Sequence, residues 1–310
     1  MGHDHTHDHG HAAGRAEDRR RLRMVLLVTV LVAVVEIVGA WLSGSLALLA
    51  DAGHMVTDAT AIVLALSASL VAALPPTPRR TFGYHRAEIL AAMVNALVLL
   101  GICGFLGYAG IRHLVHPGSV EAGQMTVFAA IGLAANLTSM GLLAARRQGS
   151  MNMRAAFLEV ATDALGSCAA LVAAVVIATT GFQRADPLAS LLIAVLILPR
   201  SWQLLRDAVA VLLEAAPPDL DVEDVRAHLS GVGGVVGVHD LHAWMITSGM
   251  PALSAHVTVT DRALAERGVG AILDELCRCT TAEFGIAHAT FQIEPESHRA
   301  HEDLGETPHA

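Results

Sequence analysis

The 310-residue chain contains no lysine. All 20 basic side chains are arginine, and nothing in the sequence accounts for that choice. Only 16% of residues are charged against 54% hydrophobic, which excludes a pair of ordinary soluble domains and points to a membrane protein. Aromatic residues are scarce at 4%, and no basic-aromatic stripe marks a nucleic-acid partner. The formal net charge of −9 comes largely from the two ends and the C-terminal third. Four cysteines do not make a disulfide framework. Cys103 and Cys168 fall inside apolar segments, and Cys277 and Cys279 lie two apart in an expected helix, pointing to different sides of it. They read as reduced thiols facing a cytosol. The first twenty-odd residues are polar and His-rich, so no cleavable signal peptide is visible. A His-Glu-x-x-His pattern is also missing, which argues against an intramembrane metal enzyme.

What is present in abundance is apolar sequence. Six stretches are long enough to cross a bilayer as helices, near 24–43, 46–74, 88–112, 122–145, 155–180 and 187–213. Arginine in the short connections sets their orientation. Arg15, Arg19, Arg20, Arg21 and Arg23 precede the first span, Arg79, Arg80 and Arg86 follow the second, and Arg146, Arg147 and Arg154 follow the fourth. The other side carries only Arg112 and Arg184. The expectation is a multi-pass protein of the cell (inner) membrane, in contact with the lipid bilayer, with both termini cytoplasmic. Pro217-Pro218 marks a domain boundary. Beyond it, Asp221 to Leu229 reads as a helix, Val235 to Ile246 and Ala252 to Thr260 as strands, Leu264 to Phe284 as a helix and Ala289 to Glu294 as a strand. The fold class is thus an all-α transmembrane domain of six helices plus a cytosolic α+β ferredoxin-like (α-β-β-α-β) domain. The domains are a disordered His-rich arm (1–20), the transmembrane domain (21–216), the cytosolic domain (217–296) and a disordered tail (297–310).

Two ionisable patterns interrupt the apolar runs: His54-Met55-Val56-Thr57-Asp58 and Glu159-Val160-Ala161-Thr162-Asp163. A carboxylate at the centre of a bilayer costs about 2.5–3.5 kcal/mol, so Asp58, Glu159 and Asp163 together would cost about 7–10 kcal/mol unless something offsets it. Residues four apart share a helix face, so His54 and Asp58 can converge with Glu159 and Asp163 as four nitrogen and oxygen ligands. Imidazole with carboxylate suits zinc and other first-row divalent ions. A lone histidine would more simply hydrogen-bond a neighbouring helix, but two helices with the same spacing favour a transported divalent cation, Zn²⁺ first; no organic cofactor is implied. Asp51, one turn before His54, reads as a vestibule ligand, an N-cap or a solvated residue, the last two together being the simpler reading. Glu36, Asn95 and Asn136 read as interhelical hydrogen-bonders, and Gly101, Gly104, Gly107 and Gly110 as a stripe for close helix approach. His3, His5, His7, His9 and His11 form a flexible arm that would gather divalent metal through neutral imidazoles. In the soluble unit His239, His242, His256 and Glu294 are candidate metal ligands; in a regular strand His242 shares a face with Asp240, opposite His239.

Several of these segments resemble the cation diffusion facilitator family, especially its bacterial zinc, cadmium and cobalt exporters. The carriers are Ala50-Asp51-Ala52-Gly53-His54-Met55-Val56-Thr57-Asp58, Phe82-Gly83-Tyr84-His85-Arg86-Ala87-Glu88 and Asn152-Met153-Arg154-Ala155-Ala156-Phe157-Leu158. Val238-His239-Asp240-Leu241-His242-Ala243-Trp244 and Phe291-Gln292-Ile293-Glu294-Pro295 extend the match. The resemblance implies a homodimer that exports a divalent ion in exchange for protons, and a cytosolic domain that senses metal. The zinc-type pattern is His-x-x-x-Asp on both helices, and position 159 here is Glu. Three carboxylates around one dication leave a negative charge that a dry pocket penalises. Glu159 is therefore expected either to stay protonated or to shift preference toward manganese, iron or cobalt. Ligands that must lose protons to bind metal would couple the two fluxes. The competing class is a non-transporting membrane metal sensor.

Overall fold

A computed structural model describes residues 8–144 and 151–297, with side chains for 24–144, 154 and 156–297. Six long helices come first: α1 (Asp8–Ser43), α2 (Leu46–Ala72), α3 (Ala87–Val115), α4 (Ala122–Ala144), α5 (Met151–Thr180) and α6 (Ala185–Leu212). Each contains an apolar span long enough to cross a membrane, the first being Met24–Ser43 and the fifth Ala156–Thr180. The ends fall within a few residues of those expected. α1 differs: its backbone is helical from Asp8, inside the stretch expected to be disordered, because Ala, Arg and Glu between 12 and 23 are good helix formers. His3, His5 and His7 lie outside the described residues, as do the side chains of His9 and His11 on α1 and the tail from 298.

The chain divides into two compact units, residues 1–65 with 94–205, and 66–93 with 206–310. The outward faces of the first unit are apolar, as lipid requires: Trp41, Val63, Phe105 and Val195 are exposed. Its interior is built of small residues, with Ala47, Ala50, Ala129, Ala170 and Ala174 fully enclosed around Leu48, Leu106 and Met125. Small side chains let helix backbones approach closely where no hydrophobic force drives helices together in lipid. Gly39 admits the Phe128 ring, and Gly110 admits Leu191 of α6. Among the described residues, nothing beyond α3's own backbone lies within 4 Å of where a Cβ on Gly101, Gly104 or Gly107 would stand, so most of the α3 glycine stripe makes no close approach there.

The N-terminus of α2 is fixed by a residue distant in sequence. Asp186, fully buried in the first turn of α6, accepts from Ser45 Oγ at 2.5 Å, Leu46 N–H at 2.8 Å and Ala47 N–H at 3.1 Å. Ser45 Oγ accepts in turn from Leu48 N–H at 3.1 Å. Together they satisfy donors that a helix start leaves free, and place negative charge at the positive end of two helix dipoles. Pro199 stands inside α6 and removes one backbone donor there.

The second unit holds α7 (Val222–Ser230), β1 (Val235–Thr247), β2 (Met250–Val259), α8 (Asp261–Phe284) and β3 (His288–Pro295). Asp221 caps α7 through a 2.9 Å bond from Glu223 N–H, and Gly249, at φ +75°, closes the β1–β2 hairpin. The sheet order is β1-β2-β3, antiparallel then parallel. Leu253, Ala255, Val257 and Val259 share the buried face, packed with Val225 and Leu229 of α7 and Ile272 and Leu276 of α8. The α-β-β-α-β order read from the sequence is the order found. α8 starts at Asp261, capped by Thr260, and is interrupted at Gly268, φ +75°.

Asp186→Ala leaves three buried donors without their acceptor and should lower stability by about 2–4 kcal/mol. Ser45→Ala should cost less, about 1 kcal/mol, and thermal unfolding of the detergent-solubilised protein compares the two.

Candidate metal centre

One helical turn separates His54 from Asp58 on α2, and both face Asp163 on α5. His54 Nε2 lies 3.4 Å from Asp58 Oδ2 and 3.8 Å from Asp163 Oδ1. One ligand atom from each of the three falls within 4.8 Å of the others. Around an ion held at zinc distances, tetrahedral ligand atoms sit about 3.4 Å apart, so small rotations suffice to close on it. His54 Nδ1 and Nε2, Asp58 Oδ2 and Asp163 Oδ1 make no hydrogen bond, although all are buried. Buried polar atoms without partners are rare enough to need an explanation, and a cation held among them would supply one. The three line a cavity of about 580 Å³ formed by α1, α2, α3, α5 and α6. Asn95 of α3 also lines it, and its buried Oδ1 is unpartnered instead of bonding across helices as expected.

Glu159, the fourth expected ligand, lines the same cavity but does not join the three-residue cluster. Its carboxylate is bound to Arg200 of α6, whose Nη1 stands 2.6 Å from each oxygen, and it also interacts with the Asp58 side chain. Arg200 was not among the sequence candidates. The available signal was an arginine within an otherwise apolar span, directly after Pro199.

Asp51 is neither cap nor solvated. It lies in the second turn of α2, 1% exposed, and Asp186 with Ser45 does the capping. Ser167 Oγ stands 2.7 Å from Asp51 Oδ2 and 3.3 Å from Glu36 Oε1, and accepts a 3.1 Å bond from Asn136 Nδ2. Two glycines make room for these carboxylates: a Cβ on Gly166 would overlap Asp51 Oδ1, and one on Gly132 would overlap Glu36 Oε1. The interhelical bonding expected of Glu36 and Asn136 is therefore present, converging on one serine.

In the second unit, His239, His256 and Glu294 form another group with ligand atoms within 4.8 Å of one another. His239 pairs with His256 across β1 and β2, and Glu294 follows on β3, its Oε2 3.3 Å from His239 Nε2 and its Oε1 2.9 Å from His256 Nδ1. His242 is not in this group; its Nε2 bonds Asp240 Oδ1 at 3.0 Å, and Asp240 Oδ2 lies 3.7 Å from His256 Nε2. Nor does His242 oppose His239, as a regular strand would require. A bulge with Asp240 at φ +49° shifts the register, so His239 pairs with His256 and His242 with Ser254 on one face.

Gly132→Ala and Gly166→Ala would each press a methyl group onto a buried carboxylate, lowering stability by about 1–3 kcal/mol in thermal unfolding.

With this geometry in view, comparison with known proteins places the chain. Residues 22–213 match the cation efflux transmembrane domain family, and residues 217–296 match the ZT dimer family, the cytoplasmic domain of cation efflux proteins. The metal cation efflux system protein CzcD of Cupriavidus metallidurans is 40% identical over 261 residues, covering 84% of this chain and 82% of the relative. The zinc transporter ZitB of Escherichia coli is 41% identical over 263 residues, covering 84% and 82%. The cadmium, cobalt and zinc/H⁺-K⁺ antiporter of Bacillus subtilis is 36% identical over 270 residues, covering 86% and 85%. The six-span unit, its C-terminal α+β domain and these matches make the chain a multi-pass membrane protein of the cation diffusion facilitator family, a transporter and not an enzyme.

Proposed function

We propose that this protein exports divalent metal cations from the cytoplasm, zinc first among them, in exchange for protons. The observation that carries this reading is the buried trio His54, Asp58 and Asp163, whose ligand atoms lie within 4.8 Å of one another and make no hydrogen bonds. The relatives named for zinc, cadmium and cobalt support the ion class. One imidazole and two carboxylates suit zinc, and also cobalt, iron and manganese, so the ion profile is a measurement to make. Facing the cytoplasm, the trio sheds protons and takes the dication. Facing the other side, protons compete for the same lone pairs and release it, which ties the two fluxes together without further machinery. A proton-coupled cycle also fits the name of the Bacillus relative, a zinc/H⁺-K⁺ antiporter.

The protein works as a homodimer in the inner membrane, with its termini and C-terminal domain in the cytoplasm. Arg79, Arg80 and Arg86 in the α2–α3 connection, and Arg154 in the first turn of α5 ahead of its apolar span, support that orientation. The match of residues 217–296 to the ZT dimer family supports self-association. His239, His256 and Glu294 serve as a regulatory metal site, and metal bound there favours the transporting state by its differential affinity.

Asp58→Ala and Asp163→Ala should each slow ⁶⁵Zn²⁺ uptake by inverted vesicles carrying a pH gradient by at least about tenfold. Transport by both variants at the wild-type rate would refute the site. His256→Ala should leave maximal transport in place while raising the zinc concentration for half-maximal rate about threefold or more. An unchanged concentration dependence removes the regulatory role.

A further inference from the structure

We propose that Arg200 is a tethered counter-cation for Glu159, and that the pair fixes the charge an ion must neutralise at the transport site. The inference rests on reading His54, Asp58 and Asp163 as that site. His54 binds metal only as neutral imidazole, so Asp58 and Asp163 alone balance a dication. Glu159 stands one turn before Asp163 on the same face of α5 and adds a third carboxylate. Left alone, it would leave a net negative charge beside every bound dication, in a partly enclosed cavity where Glu159 is only 28% exposed and an uncompensated charge is penalised.

Arg200 removes that excess. Its Nη1 reaches both oxygens of Glu159 at 2.6 Å, from a different helix, within the cavity that also holds the trio. Guanidinium stays charged at any physiological pH, so this compensation does not come and go with protons. The five groups together carry two negative charges whether Glu159 rests on Arg200 or turns to the ion. Glu159 can therefore exchange partners within a site of constant charge. While it rests on Arg200, the ion is offered one nitrogen, two oxygens and an open position. When it turns, the ion gains a fourth ligand and Arg200 remains close enough to hold the balance. The pair thus performs electrostatically what a neutral ligand at position 159 would perform by itself, and it disfavours ions of any charge other than two.

The test uses the purified full-length protein, with zinc binding measured by competition against a chromophoric chelator and transport measured in proteoliposomes. R200Q frees Glu159 and should tighten zinc binding about tenfold while slowing transport about tenfold, because release becomes limiting. E159Q leaves an unpaired guanidinium beside the ion and should weaken binding about tenfold, again with slower transport. E159Q/R200Q should transport within about threefold of wild type, where independent effects would multiply to about a hundredfold loss. General structural damage would weaken binding in both single variants, so the opposite signs carry the proposal. It is overturned if R200Q weakens zinc binding, or if the double variant transports more slowly than either single one. Should R200Q fail to fold, E159Q against the double variant decides: recovery supports compensation, further loss overturns it. Asp163→Ala in the same binding assay tests the ion site itself. Wild-type affinity in that variant would remove the site, a result separate from any outcome at Arg200.

Discussion

Charge inside a hydrocarbon layer has to be solvated by the protein itself, and most of the interior of this transmembrane unit is arranged around that requirement. Glu36, Asp51, Asp58, Glu159 and Asp163 all lie within apolar spans. Left unsolvated, each would cost about 2.5–3.5 kcal/mol, a sum comparable with the whole stability of an ordinary domain. The chain deals with them in three separate ways. Glu36 and Asp51 share the hydroxyl of Ser167, in space left by Gly132 and Gly166. Glu159 is neutralised by Arg200. Asp58 and Asp163 each keep one oxygen, Oδ2 and Oδ1, facing His54 without a hydrogen bond.

The same requirement explains why the small residues lie where they do. Alanine, glycine and serine fill the contacts among α1, α2, α4 and α5, which brings the carboxylate-bearing backbones near enough to share partners. A larger side chain at Gly132 or Gly166 would occupy the volume that a carboxylate now holds. The polar chemistry and the close packing are therefore one arrangement seen from two sides.

Much of this was legible in the sequence. Six apolar runs gave six helices, because span length is dictated by bilayer thickness. The run Ala252 to Thr260, read as a strand, is β2 within a few residues, and its alternation puts Leu253, Ala255, Val257 and Val259 on the buried face. The i,i+4 spacing of His54 with Asp58 put both on one face of α2. What could not be read was anything set by contacts distant in sequence. Asp51 resembles a residue near a solvated helix end, but its environment is decided by Ser167, more than a hundred positions later. Glu159 has the spacing of a ligand, and only the fold brings Arg200 to it. The place of His242 depended on a bulge at Asp240, and a positive φ at a non-glycine residue leaves no periodic trace in the sequence.

The bond set around Asp186 bears on how such a unit can move. It pins the first turn of α2 to the first turn of α6, so these helices have a common fulcrum at one end. His54 and Asp58 ride on one lever and Arg200 on the other, whereas Glu159 and Asp163 belong to α5. The Glu159–Arg200 pair ties α6 to α5 within the cavity, so α6 is the helix through which the two ligand-bearing helices are joined.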